Sequence, residues 1–96
     1  MDTIELYREE GKFFRSVRVG FNAKEFRIDT QDMGPTVEEF MGDSDYEFWT
    51  TVPKQAWGDL LLALSKEFLS NDGKATDRLR DICEKHKVQH TWDCWR

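Results

Sequence analysis

Pro53 separates two runs of opposite periodicity, and this junction constrains the fold more than any other stretch of the chain. Before it, residues 46–52 are aromatic and β-branched, with Tyr46, Phe48, Thr50 and Val52 on one face of a strand. After it, Trp57, Leu60, Leu61, Leu64 and Phe68 recur at three- and four-residue steps. That spacing predicts a helix to about Ser70 with one buried face. Proline cannot donate to a sheet ladder but suits the first turn of a helix, so the strand should become a helix between Thr51 and Lys54.

The upstream chain alternates in three shorter runs. Residues 3–8 set Ile4 and Leu6 against Glu5 and Tyr7. Residues 12–19 put Phe13, Arg15, Val17 and Val19 on one face and Phe14, Ser16 and Arg18 on the other. Residues 25–30 oppose Phe26, Ile28 and Thr30 to Glu25, Arg27 and Asp29. Turn-forming residues around Gly11 and in the stretch Gly20 to Ala23 join these runs into an antiparallel meander. Gly34-Pro35 breaks the pattern, and residues 36–41 have the composition of a short acidic helical turn. Beyond the long helix, Asn71 or Gly73 can cap its end, a second helix starts at Ala75 or Thr76, and residues 88–95 have the composition of a last strand. The expected order is therefore β-β-β-(short α)-β-α-α-β. It describes a single α+β domain over residues 1–96, with two helices on one face of a mainly antiparallel four- to five-stranded sheet.

Size and composition narrow the function. Ninety-six residues suffice for one hydrophobic core but not for a second domain with a deep cleft between the two. The longest apolar run, residues 60–64, is far below the roughly 20 residues of a spanning helix, and the N-terminus has no secretory pattern. Two cysteines, Cys83 and Cys94, are too few for a disulfide framework, so a cytoplasmic protein is expected.

Charge is the least random property. Residues 29–47 carry Asp29, Asp32, Glu38, Glu39, Asp43, Asp45 and Glu47 and no lysine or arginine, whereas elsewhere 12 acids meet 14 bases. The net charge of -5 thus originates in this stretch. Such crowding is favourable only where the carboxylates stay solvated or meet a cationic partner. Asp43-Ser44-Asp45 lacks the glycine and terminal glutamate of a calcium loop.

Other chemistry is weakly signalled. Cys83, His86, His90 and Cys94 are zinc-type ligands within twelve residues, but on one helix they form a stripe about 16 Å long and cannot converge. Cys83 and His86 could touch as nucleophile and base, yet no oxyanion-forming turn accompanies them. Phosphate-cradling glycine motifs are absent from the sequence. Arg8, Lys12, Arg15, Arg18, Lys24 and Arg27 interleave with Phe13, Phe14, Phe21 and Phe26 in the manner of a nucleic-acid platform. Nearby glutamates make cross-strand charge pairing the simpler account.

The favoured reading is a non-enzymatic binding module without cofactor or metal, directed at a basic protein surface rather than nucleic acid or membrane. Asp43, Asp45, Tyr46, Glu47 and Trp49 would form the contact, combining charge for steering with aromatic area for affinity. In size and charge the chain resembles the immunity proteins of bacterial toxin systems and phage-encoded inhibitors, which often cover a basic active site. That likeness rests on no motif and assigns no residue. The competing readings are a small metal-binding or catalytic protein using Cys83, His86, His90 and Cys94, and a homodimer formed through the exposed aromatics.

Overall fold

The computed structural model describes residues 2–34 and 45–95. Four strands, β1 (Asp2–Glu9), β2 (Phe14–Phe21), β3 (Glu25–Met33) and β4 (Asp45–Pro53), form one antiparallel sheet in sequential order. A 3₁₀ turn, Lys54–Ala56, leads into α1 (Trp57–Leu69), and α2 (Ala75–Lys85) follows. The architecture is thus α+β, a four-stranded antiparallel sheet and two helices. By compactness the chain divides into Met1–Leu60 and Leu61–Arg96, with the division inside α1. The expected helical turn over residues 36–41 lies outside the described residues.

Register explains the sheet's two faces. Ile4, Val19, Ile28 and Thr50 stand in one row across the four strands, and Tyr7, Val17, Thr30 and Phe48 in the next. Phe21, Phe26 and Val52 extend this apolar face toward the β2–β3 turn. There the Asn22 carboxamide oxygen accepts hydrogen bonds from the backbone N–H groups of Lys24 and Glu25, at 2.8 and 2.9 Å, and closes the hairpin. The opposite face is polar, with Glu5, Arg18, Asp29 and Trp49 in a single row. In β1 a bulge between Glu5 and Tyr7 shifts the alternation expected from the sequence, so that Tyr7 stands opposite Val17 and joins the apolar face.

Pro53 ends β4 as its chemistry requires. Trp57, four residues on, turns back to its own strand: the indole N–H donates to the Val52 carbonyl at 3.0 Å, and its ring meets Phe21 edge-on at 5.9 Å. Such an aromatic pair adds about 1 kcal/mol beyond its buried area.

One expectation is corrected: residues 88–95 join no sheet. Lys87 takes a left-handed conformation (φ 57°), and the N–H groups of Lys87 and Val88 donate to the carbonyls of Glu84 and Cys83, at 3.4 and 2.8 Å. This Schellman ending turns the chain back on its own helix, where the Arg80 guanidinium covers the Trp92 ring at 5.2 Å. Asn71 (φ 60°) is the left-handed residue that follows α1.

Candidate functional site

The six bases of the first hairpins are largely consumed within the sheet. Arg8 bonds Glu5 and Glu10, and these carboxylates raise its pKa while Arg8 holds Glu5 below the usual carboxylate range. Arg15 meets Asp32 through two hydrogen bonds of 2.6 Å. Asp29 lies between Arg18 at 3.7 Å and Arg27 at 3.5 Å. The interleaved aromatics are engaged by the same cations: Arg8 lies over Phe14, Arg15 over Phe13, and Arg27 over Trp49 at 4.5 Å. Charge pairing is therefore the role these arginines fill, across strands for Arg15 and Arg18 and with neighbours along the chain for Arg8 and Arg27.

The same pairs divide the acidic run. Asp29 and Asp32, its first two members, point into the sheet's own arginines, and Asp32 is buried. The run's described exposed members are Asp45 and Glu47 on β4. Because strand residues alternate, Asp45, Glu47 and Trp49 share the polar face, whereas Tyr46 lies on the apolar face beside Phe48, ring centroids 5.6 Å apart. The Gln31 carboxamide donates to Asp45 at 3.3 Å, and Trp49 keeps 54% of its surface exposed beneath Arg27. The predicted contact set is thus split: three members form one surface, Tyr46 faces away from it, and Asp43 lies outside the described residues.

Position explains this surface's accessibility. Among the described residues β4 is an outer strand of the sheet, so its side chains have a neighbouring strand on one flank alone. Arg27 was the functional neighbour that sequence reasoning missed in this role. Its placement depends on the β3–β4 register, which sets Asp29 opposite Trp49 and Arg27 opposite Thr51. The guanidinium Nε of Arg27 is buried and makes no hydrogen bond among the described residues.

The cysteine and histidine cluster does not assemble. Cys83 is half-buried on α2, His86 caps that helix, and Cys94 is exposed; both thiols are free. His90 Nδ1 lies 2.7 Å from the Val88 carbonyl and its Nε2 4.0 Å from Glu84. Among the described residues no group of three or more His, Cys, Asp or Glu side chains is placed to hold a metal ion. Cys83 and His90 do border a common cleft of about 120 Å³, beside Trp92. On the sheet, a second cleft of about 250 Å³ is lined by Ile4, Val19, Phe21 and Phe26 and presents almost no polar group.

No family model, curated protein or solved structure matches this chain. No described helix is long and apolar enough to cross a membrane.

Proposed function

We propose that this chain is a non-enzymatic, cytoplasmic protein-binding module whose β4 polar face docks a basic partner surface, in the manner of immunity proteins and phage-encoded inhibitors. The observation that carries the reading is the grouping of Asp45 and Glu47 with a half-exposed Trp49 on an outer strand, apart from acids already neutralised within the sheet. The two carboxylates supply long-range attraction, and the indole, stiffened by Arg27, supplies contact area at low entropic cost. The net charge of -5 adds a favourable field for a cationic partner.

The test is capture from the native host with tagged wild-type protein and with Asp45→Lys/Glu47→Lys, each at low and high salt. A basic protein held by the wild type at low salt, released at high salt and absent from the variant supports the reading. A partner retained equally by both chains excludes this face as its dock.

A further inference from the structure

Among the described residues the sheet has two outer strands, and they differ in how well they are guarded against pairing. In β1 the bulge between Glu5 and Tyr7 interrupts the edge, and full antiparallel overlap of two β1 strands would set Asp2 against Glu9 at both ends. Bulges and opposed like charges are the devices that blunt an edge. In β4 the register with β3 is uninterrupted from Asp45 to Pro53, and Pro53 stands at its very end. No lysine or arginine occurs in this strand, and Tyr46, Phe48 and Trp49 are all substantially exposed.

We infer that the outer edge of β4 pairs antiparallel with β4 of a second copy, about a twofold axis at Trp49, joining two four-stranded sheets into one. The nine-residue strand selects this partner and this direction. Full antiparallel overlap places Asp45 opposite Pro53, Glu47 opposite Thr51 and Trp49 opposite its own copy, so neither acid faces an acid. On the apolar face it sets Tyr46 opposite Val52 and Phe48 opposite Thr50, aromatic against β-branched, the favourable kind of cross-strand pair. Parallel pairing would instead align Asp45 with Asp45 and Glu47 with Glu47. An axis through Trp49 perpendicular to the sheet also keeps the two apolar faces on one side, and an isologous contact closes at two copies. Pairing β4 with β1 of another copy would leave free edges and propagate.

No basic partner is needed for this contact, so the purified chain tests it separately from the docking function. Sedimentation velocity over a range of concentrations is expected to show monomer and dimer and nothing larger. Thr51 is exposed, and across the twofold axis it faces Glu47 at two symmetric places. Thr51→Glu is therefore expected to raise the dimer dissociation constant and Thr51→Lys to lower it, each by roughly three- to thirtyfold. Within one chain the signs reverse, because Thr51 stands opposite Arg27 on β3: the introduced glutamate favours the fold and the introduced lysine opposes it. Glu47→Lys added to Thr51→Glu should restore dimerisation. A monomer at every concentration, growth beyond a dimer, or a shift of both single variants in the same direction overturns the pairing.

Discussion

Arg15 and Asp32 stand directly opposite one another on β2 and β3 and join through two parallel hydrogen bonds of 2.6 Å, with the carboxylate buried and the guanidinium reaching solvent. Each end of the pair has a different environment, and this asymmetry sets the cost of breaking it. Removing Arg15 strands a buried carboxylate, whereas removing Asp32 leaves a cation that water can solvate.

Arg15→Met is accordingly expected to destabilise the fold by about 2 kcal/mol, less than a fully buried pair because the arginine is half-exposed. Asp32→Asn should cost less, and Arg15→Met/Asp32→Asn should cost less than the sum of the two single losses. Urea denaturation of the four chains measures the coupling; additive losses would show that the two groups act independently.

Gly34 follows β3 with φ 133°, and a methyl group built on it would come within 2.5 Å of the Lys12 carbonyl oxygen. Both backbone conformation and space exclude a side chain. Gly34→Ala should lower stability by about 2 kcal/mol. A variant with an unchanged denaturation midpoint would mean that this approach of two backbones is absent in solution.

The end of α2 is improvable. Lys87 holds a left-handed conformation that a β-carbon disfavours, at the position where glycine is commonest. Lys87→Gly should stabilise by about 0.5–1 kcal/mol, with the added chain entropy offsetting part of the gain. Denaturation followed by helix dichroism reads the sign.

Asp72 organises the start of the same helix. Its carboxylate accepts the Lys74 N–H at 2.9 Å and the Arg78 guanidinium at 2.6 Å, and these bonds, the backbone one first, hold its pKa below the usual carboxylate range. A lowered folded-state pKa means stabilisation that is complete above the ordinary value of about 3.9 and disappears as pH falls through the folded value. Asp72→Asn should therefore flatten the acid limb of a stability profile and leave its neutral-to-alkaline side parallel to wild type. An unchanged acid limb would assign it to other carboxylates, Glu5 among them, which Arg8 shifts the same way.

What could be read from the sequence was what depends on local chemistry. Alternation located the strands, Pro53 marked the strand-to-helix junction, and Asn71 took the left-handed position that its side chain tolerates. Short turns gave the antiparallel order of the sheet, but its register was not legible. The bulge that brings Tyr7 to the apolar face is a property of two strands together, and so is the register that brings Arg27 onto Trp49. Composition misled at residues 88–95, because β-type residues without a ladder partner follow their own helix instead. The acids were visible as a run, but which of them meet an arginine depends on strand register, which sets Arg15 opposite Asp32 and Arg18 opposite Asp29.

The central claim, that Asp45 and Glu47 steer a basic protein onto the Trp49 face, is tested most directly by stopped-flow association with the captured partner over a range of ionic strength. For wild type the association rate should fall steeply as salt rises while dissociation changes little, and Asp45→Lys/Glu47→Lys should associate slowly at all salt concentrations. Equal association rates for the two chains, with the same salt dependence, would contradict the claim.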